Sequence, residues 1–407
     1  MKTSIVYVYN SFKDPLFQAT LWLYLKEEVK NRRFNFLLIT YEQKEFEISR
    51  EEKNQIKEEL KEFNITWYPL KWHSGRFKLI KKLFDFISSI FLIAKLYVRK
   101  KPSSIISLGT VAGSFAYIVS RLFRLKNYIY QYERHSEFLA DFGIWSRRSI
   151  SFQILNYFER LSGRNSELLA TGTTHMIKRL EQEGVKGDLY LLPSCVNDFH
   201  FQFSAESRDR IRDLLKIGSK RVVIYLGKFG GIYFSLDEVS DFFYQWKCLD
   251  KKTFFIVLTP EDSEAVENQL KNSGLLPESF FIGHVPHREV PAYLSAADMG
   301  IVAVPSFPSQ KFRSPIKVGE YLCCGLPYVV GREISNDDDV ALKSDVGIVL
   351  NSYSMEELEK NYSKVESFFD EERISLRKRC RDVGLTYRGF SRLKKKGEEI
   401  FDKLASL

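Results

Sequence analysis

The chain has 407 residues, of which 44% are hydrophobic and 28% charged, a balance typical of a globular protein with two or three domains. Its five cysteines are odd in number and lack C-x-x-C spacing, and the N-terminus shows no secretory signal pattern, so we expect a cytoplasmic protein without a zinc site. The net charge of +9 originates in the first 200 residues, which carry 31 Lys and Arg against 21 Asp and Glu.

Short apolar runs with strand character alternate with helical segments along the whole chain. We predict the strands of the first half at 3–9, 34–41, 65–69, 104–108, 127–132, 167–171 and 188–192. We predict those of the second half at 221–226, 253–258, 279–282, 299–303, 327–330 and 347–350. This alternation predicts an α/β protein with two doubly wound, Rossmann-like domains that face a cleft.

The polar segment near residues 195–218 is the natural boundary between the two halves. We therefore predict an N-terminal domain over residues 1–195 and a C-terminal domain over residues 196–385. A last helix, 386–407, is expected to cross back to the first domain.

A basic amphipathic helix is predicted within residues 76–101, where apolar side chains recur at helical spacing beside Lys and Arg side chains. The apolar positions are Ile80, Leu83, Phe84, Ile87, Ile90, Phe91, Ala94 and Val98. A transmembrane span is not expected, because Asp85 and Lys95 leave only residues 86–94 uncharged. The helix is typical either of a protein on an anionic membrane surface or of a crossover helix packed on a sheet with a solvated outer face. Nucleic acid is disfavoured, since no RNA-binding strand or basic heptad appears.

His135 follows the predicted strand 127–132, so we expect its side chain at the carboxyl end of the first sheet. Glu133, His135 and Glu137 alternate along the chain, and a short extended run would turn all three side chains the same way. An imidazole there would take a proton from the group that receives the transferred part of a substrate, or stabilise a phosphate that leaves during the reaction. The alternative is a structural histidine bonded to a neighbouring backbone group.

The stretch FRSPIKVGEYLCCGLPYVVG predicts the start of a helix followed by a buried strand. Ser314 is a favourable N-cap, and Pro315 suits the first helical position. The N–H groups of Ile316 and Lys317 would bind a phosphate, and Glu320 lies one turn further along. The segment therefore favours a nucleotide, and the alternative is an ordinary capped helix whose Glu320 faces water.

No metal site is expected in this sequence. Its His, Asp and Glu residues show no ligand spacing, and no D-x-D motif stands at the expected strand end. The acidic segment SNDDDV, residues 335–340, is predicted to be a surface loop after a strand.

Three segments of the second half together resemble the donor domain of a retaining GT-B glycosyltransferase of family 4, the glycosyl transferases group 1. They are VIYLGKFGGIYFSLDEV (223–239), FFIGHVPHREVPAYLSAADMGIVAV (280–304) and the stretch 312–331 quoted above. Two segments of the first half, SFKDPLFQATLWLYLKEE and YQYERHSEFLADFGIWSRRS, resemble acceptor domains of bacterial surface-polysaccharide members of that family. The resemblance extends along nearly the whole chain and implies the GT-B fold.

The resemblance implies a phosphate-binding role for the loop after the strand 221–226. Lys228 stands where the family places a basic residue that contacts the donor phosphates, and a cation there would stabilise a departing diphosphate. Gly227, Gly230 and Gly231 would let the backbone approach that diphosphate. The alternatives are a solvated loop lysine and an ordinary tight turn.

The resemblance also implies how the rest of the donor is bound. Glu320 matches the second acid of a paired-glutamate motif and would bind the ribose hydroxyls, whereas Lys317 either adds a second cation or pairs with Glu320. His284 and Val285 stand where the family lines the nucleobase with backbone groups. Phe312 occupies the position of the first acid of the motif, so this sequence lacks the acid that contacts the donor sugar in many members of the family.

The function implied is that of a hexosyltransferase (EC 2.4) in cell-surface glycan biosynthesis, such as that of lipopolysaccharide or capsule. It would transfer a sugar with retention from a nucleotide sugar, taken to be a UDP-sugar, to a lipid-linked or polysaccharide precursor at the inner face of the cell membrane. Catalysis is expected from His135, Lys228 and Glu320, and neither a metal nor another cofactor is expected, because the nucleotide sugar is a substrate. The alternative is a catalytically silent GT-B protein that binds nucleotide or glycan as an assembly partner. A sugar-nucleotide epimerase is a third possibility.

Overall fold

The computed structural model describes residues 1–31, 33–73, 78–231 and 233–407, apart from the side chains of residues 78 and 79. The chain divides into two compact units. The first unit comprises Met1–Pro193 together with Lys394–Leu407, and the second comprises Ser194–Leu393.

The first unit is built around a parallel sheet, seven-stranded in the described residues, with the order β3-β2-β1-β4-β5-β6-β7. Its strands are β1 (Lys2–Val8), β2 (Phe34–Glu42), β3 (Ile65–Lys71), β4 (Ser104–Leu108), β5 (Lys126–Gln131), β6 (Leu168–Thr171) and β7 (Asp188–Leu191). The order reverses between β1 and β4, where ligands bind in open α/β sheets.

The second unit contains a parallel sheet with the order β10-β9-β8-β11-β12-β13, six strands within the described ranges. Its strands are β8 (Arg221–Leu226), β9 (Thr253–Leu258), β10 (Phe280–Gly283), β11 (Met299–Val302), β12 (Tyr328–Gly331) and β13 (Gly347–Leu350). This is the order of a dinucleotide-binding Rossmann fold, and its switch point lies between β8 and β11.

Helices connect these parallel strands, as crossover connections require. Those of the first unit are α1 (Pro15–Gln18), α2 (Leu21–Lys30), α3 (Arg50–Glu62), α4 (Lys78–Lys100), α5 (Thr110–Phe123), α6 (His135–Asp141), α7 (Ile150–Asn165) and α8 (Thr174–Gln182). Those that follow are α9 (Ala205–Leu214), α10 (Leu236–Leu249), α11 (Ser263–Asn272), α12 (Val290–Ala296), α13 (Ile316–Cys323), α14 (Asp337–Lys343), α15 (Met355–Asp370), α16 (Arg373–Tyr387) and α17 (Phe390–Ser406).

The predicted strands are confirmed: all thirteen are present, and their ends differ from the prediction by at most two residues. The fold class, two α/β parallel-sheet domains, is confirmed as well. The predicted last helix begins later than expected, because α16 ends at Tyr387 and α17 begins at Phe390. The end of α17 packs in the first unit, where the Phe401 ring lies 5.7 Å from that of Phe34.

The helix α4 carries most of its predicted apolar stripe on its exposed side. The exposed members of the stripe are Ile80, Leu83, Phe84, Ile87, Phe91 and Val98. The buried side instead carries Asp85 and Ser89 beside Ile93 and Leu96. Residues 76–77 of the predicted helix lie outside the described residues. Among the described helices, none combines the length and the apolar character needed to cross a bilayer.

The acidic segment 335–340 was predicted to be a surface loop, and this prediction is wrong. Asp337 begins the helix α14, is fully buried, and accepts a hydrogen bond from Arg388 Nη2 at 2.6 Å. The Tyr387 hydroxyl donates to the same carboxylate oxygen at 2.8 Å. The cationic partner comes from a distant part of the chain, so local composition gave no sign that this acid is buried.

Candidate functional site

The loop after β8 meets the start of the helix α13 in the second unit. Gly227, the first residue of this loop, has φ +140°, and its N–H donates to the Leu258 carbonyl at 3.0 Å. A Cβ placed on Gly227 would lie 2.9 Å from Cε and 3.4 Å from Nζ of Lys317. The absence of a side chain at Gly227 therefore allows the Lys317 ammonium to lie against the backbone of this loop.

The next residues of the loop form a turn. Gly230 and Gly231 have φ +71° and +62°, and a Cβ at either would meet open space, so their conformation rather than crowding favours glycine. Lys228 is exposed, and its carbonyl accepts a hydrogen bond from the Tyr225 hydroxyl at 2.5 Å. The backbone at Lys228 is thus fixed from the sheet, although the residue itself is exposed.

The start of α13 differs from the prediction in one respect. Pro315 rather than Ser314 is the N-cap residue, and Ile316 is the first helical residue. The Ser314 hydroxyl does not cap the helix: it accepts hydrogen bonds from the Ser194 N–H, at 3.1 Å, and from the buried Arg388. The predicted N-cap role of Ser314 is therefore wrong, because a buried guanidinium satisfies the hydroxyl instead.

The first-turn N–H groups of α13, which have no intrahelical acceptors, lie at the switch point of the sheet. Ile316 and Lys317 belong to this turn. In the described part of the chain Lys317 forms no ion pair with Glu320, because its ammonium lies against Gly227. An anion at this helix start would meet both backbone donors and a cation.

Glu320 is buried, with 7% of its surface exposed, one turn into α13. Its Oε1 lies 3.1 Å from Nε2 of His287, whose side chain is 72% exposed. This hydrogen bond raises the pKa of His287 above its ordinary value. Glu320 is thus a buried carboxylate in contact with an exposed histidine, which contradicts the alternative of a Glu320 that faces water.

Residues 284 and 285 follow β10, on the same side of the sheet as the Gly227 loop. The Gly283 carbonyl accepts from the Thr259 N–H at 3.0 Å, which joins the ends of β9 and β10. His284 is exposed, and Val285 packs partly buried against the core of the unit. Phe312 is buried in a short 3-10 turn, so no carboxylate stands at the position of the first acid.

His135 is the first residue of the helix α6, so the predicted extended run over Glu133, His135 and Glu137 is wrong. Its N–H donates to Glu159 Oε1 at 2.8 Å, and its ring stacks on Phe138 at 5.8 Å. Glu137 lies in the same helix and accepts two hydrogen bonds from Arg179, at 2.7 and 2.6 Å. The segment forms a helix instead, because a buried carboxylate from α7 accepts hydrogen bonds from the first-turn N–H groups, which have no intrahelical acceptors.

Glu159 is the buried acceptor at the start of α6. It also accepts from the Ser136 hydroxyl at 2.5 Å and from the Thr110 hydroxyl at 2.6 Å. Burial raises the pKa of Glu159 to about 7, although these hydrogen bonds oppose the rise. The imidazole of His135 is thus attached to a helix start that a carboxyl group from α7 holds in place.

Two histidines to which we assigned no role from the sequence each contact a carboxylate. One is His287, described above. The other is His73, whose Nδ1 lies 2.5 Å from Oδ1 of the buried Asp85, while the Tyr9 hydroxyl donates to the other oxygen at 3.0 Å. Both histidines follow the carboxyl end of a strand, β10 and β3, and this placement is the signal by which the sequence could have identified them.

The structure therefore places Lys317 against Gly227, and it shows His287 as a hydrogen-bond partner of Glu320. In the residues that the structure describes, no group of three or more His, Cys, Asp or Glu side chains is arranged to hold a metal ion.

Residues 207–383, nearly all of the second unit, match the family model described as glycosyl transferases group 1. No curated protein matches the sequence. The whole chain has the GT-B fold, as comparisons with solved structures show.

Three solved structures illustrate this likeness. Sucrose-phosphate synthase from Thermosynechococcus elongatus superposes with a TM-score of 0.73 at 12% identity, over 100% of this chain and 99% of that one. HepE from Anabaena, in complex with UDP, gives 0.71 at 11% identity, over 100% of both chains. WaaG, a glycosyltransferase involved in lipopolysaccharide biosynthesis, gives 0.66 at 14% identity, over 98% of this chain and 99% of the other.

Proposed function

We propose that this GT-B protein is a glycosyltransferase that takes a sugar from a nucleotide donor, a UDP-sugar, and transfers it to a lipid-linked or polysaccharide precursor of a cell-surface glycan. The observation that carries the proposal is the contact of Lys317 with Gly227 at the start of α13, with the buried Glu320 one turn further along. The match of residues 207–383 to glycosyl transferases group 1 and the UDP complex of the similar HepE support it.

The chemistry required of the second unit is stabilisation of a leaving nucleoside diphosphate. In the transfer, the bond between the sugar C1 and the phosphate oxygen breaks and the acceptor oxygen bonds to C1. The acceptor proton goes to the leaving diphosphate or to His135. Because negative charge grows on the diphosphate as the bond breaks, Lys228, Lys317 and the N–H groups at Ile316 act mainly in the transition state.

In this proposal Glu320 binds the ribose, because its two carboxylate oxygens accept hydrogen bonds from the ribose hydroxyls. Burial supports the role, because a carboxylate removed from water gains more from each hydroxyl that it accepts from than an exposed carboxylate does. His284 and Val285 supply backbone groups to the nucleobase. The residues assigned to the donor thus all belong to the second unit.

We further propose that the first unit lies on an anionic membrane, which is where a lipid-linked acceptor resides. The outward apolar stripe of α4 supports this proposal, since exposed Phe84, Phe91 and Val98 would enter the interface while the exposed Lys95 and Arg99 contact lipid phosphates. A crossover helix with a solvated outer face would expose its polar side, and α4 buries Asp85 instead.

Retention of the anomeric configuration is proposed on the resemblance of the sequence to retaining enzymes. The NMR coupling constant of the product anomeric proton tests it, because the two anomers of most hexosides differ clearly in this coupling. A product of inverted configuration would refute retention without refuting the transfer itself.

A catalytically silent nucleotide-binding or glycan-binding protein is the second candidate. The buried Phe312 favours it, because the first acid of the paired motif is missing. The two candidates differ in turnover: incubation with UDP-, GDP- and ADP-sugars, with and without membrane extract, should release UDP only when donor and acceptor are both present. Binding of nucleotide without release from any donor, in the presence of extract, would favour the silent protein.

A further inference from the structure

A polar cavity lies in the second unit, at the opposite edge of the sheet from Gly227. It has a volume of about 450 Å³ and is lined where β8, β11 and β12 begin, by Arg221, Asp298 and Pro327. Basic side chains outnumber acidic ones in its lining. The basic residues are Arg208, Arg212, Lys220, Arg221, Arg373 and Arg377, and the acidic ones are Asp209, Asp298 and Glu371.

Acidic side chains neutralise only part of this charge. Asp298 accepts from Arg208 Nη2 at 2.8 Å and also from the Val222 N–H at 2.9 Å. Glu371 is bound to Arg379, through two hydrogen bonds of 2.5 and 2.7 Å. Asp298 thus pairs with the buried Arg208 and Arg212, whereas Arg221 pairs with Asp250 and Asp370, which lie outside the lining.

Arg377 is the most strongly desolvated of these guanidinium groups. It is 7% exposed, its Nη2 donates to the Ala297 and Ser295 carbonyls at 2.7 and 3.1 Å, and its Nη1 donates to the Cys324 carbonyl at 3.1 Å. Its buried Nε has no hydrogen-bond partner among the described residues. Burial, together with repulsion by Arg208 and Arg373, lowers the pKa of Arg377 to about 10. An incompletely compensated buried charge of this kind is costly unless an anion approaches it.

The carbonyl partners explain part of the cluster. Arg208 and Arg212 donate to the last carbonyls of α12, including that of Ala296 at 3.0 and 2.8 Å, and so cap this helix. Capping does not account for Arg373, the first residue of α16, which is exposed at the cavity and has no hydrogen bond or ion pair with any residue that the structure describes.

We infer that this cavity is a second anion site, which binds the phosphate group of a small molecule between Arg373 and the buried Arg377. Its volume suits a small phosphate ester. The guanidinium of Arg373, which has no partner among the described residues, presents two parallel donors to a phosphate, and Arg377 adds its charge and the unpaired N–H of Nε. The site is separate from the donor site, because Arg221 and Gly227 stand at the two ends of the same strand.

The test uses inorganic phosphate as the probe, in calorimetric titrations of the full chain at constant ionic strength. Arg373→Ala is compared with Lys378→Ala, which removes the same charge from an exposed position of the same helix but does not line the cavity. A Lys228→Ala/Lys317→Ala double variant removes the cations of the donor site, so that phosphate bound there is not mistaken for phosphate bound in the cavity.

We expect the parent chain and the double variant to bind phosphate with a dissociation constant of about a millimolar or tighter. Arg373→Ala should weaken this binding by about tenfold or more, whereas Lys378→Ala should change it by less than about twofold. Any of three results would overturn the inference. They are equal weakening of phosphate binding by both single variants, loss of phosphate binding in the double variant alone, and no binding at about 20 mM phosphate.

A lipid headgroup offers the same chemistry as a dissolved phosphate ester. Sedimentation with vesicles that contain phosphatidic acid distinguishes these sources. Sedimentation that Arg373→Ala weakens and Lys378→Ala leaves unchanged assigns the site to a headgroup, in addition to any binding through α4. Phosphate binding together with sedimentation that is equal for both variants assigns it to a dissolved molecule.

Discussion

The carboxyl edges of the two sheets differ in what they present to a ligand. In the second unit this edge carries glycines and lysines: Gly227 leaves room for Lys317, and the loop turns through Gly230. In the first unit the edge is aromatic and rich in hydrogen bonds, with His73 on Asp85 and the start of α6 on Glu159. Two sheets of the same parallel topology thus carry chemically different sites.

The difference indicates how the work is divided. A glycine loop beside a helix start accepts a compact, highly charged group such as a diphosphate, because backbone donors and a lysine cation lie close together there. Histidines held by buried carboxylates suit the transfer or orientation of a hydroxyl proton. We therefore expect variants of the second unit to affect the donor, and those of the first unit to affect the acceptor step.

The largest expected effect is that of Lys228→Ala. If its cation meets the charge that grows on the diphosphate, turnover should fall by about 10²- to 10³-fold while donor affinity changes much less. Steady-state kinetics with saturating donor, and separate measurement of UDP binding, check this. Lys251→Ala, an exposed lysine of the same unit, is the control, and an equal effect of both changes would contradict the assigned role.

The next effect is that of His135→Ala. Alanine retains the N–H that donates to Glu159, so the start of α6 should persist, and a role in proton transfer predicts a fall in turnover of about 10²-fold at unchanged donor affinity. The parallel variant His73→Ala shows which histidine of this edge acts on the acceptor. Unchanged turnover in His135→Ala would assign it a structural role.

A smaller effect is expected on membrane binding. Phe91→Asp removes an exposed aromatic ring from the outward stripe of α4, and affinity for anionic vesicles should fall by about tenfold or more. Binding should also fall at high salt. Ile374→Asp, an exposed apolar position of the second unit, serves as the control, and sedimentation that ignores lipid charge, salt and Phe91 would argue against the membrane proposal.

The smallest effect concerns pH and His287. Since its hydrogen bond with Glu320 raises the pKa of His287, the charged pair stabilises the fold below the ordinary histidine value and ceases to do so as pH rises through the raised one. The free energy of unfolding of the parent minus that of His287→Ala should be about 1 kcal/mol or less at about pH 5.5, given solvent screening, and near zero at about pH 8.5. A difference that grows with pH would contradict the pairing.

The sequence predicted the fold well, because the strands of parallel sheets are continuous apolar runs that are visible locally. It also located the start of α13, since Pro315 and the following apolar face carry the signal within a few residues. The errors of the prediction concern contacts between residues that are distant in the sequence. The hydroxyl of Ser314 is bound by Arg388, and the N–H of His135 by Glu159, both from elements distant in the sequence.

The pairs His73–Asp85 and His287–Glu320 show the same limit. Each histidine stands just past a strand, but the carboxylate that it meets belongs to another element, and no spacing in the sequence relates the two. The outward apolar stripe of α4 was predicted as a periodicity but not as an exposed face, because periodicity does not say which side of a helix packs.

Calorimetric titration with UDP of the parent chain and of Glu320→Gln tests the central claim, that α13 and the Gly227 loop hold a nucleoside diphosphate. Both proteins are first checked for equal melting temperatures, and Glu264→Gln, an exposed acid of the same unit, is the control. We predict that the parent binds UDP, that Glu264→Gln binds it equally, and that Glu320→Gln loses about 1.5 to 3 kcal/mol of binding free energy. Equal binding by the parent and a folded Glu320→Gln would contradict the account and leave α13 an ordinary helix.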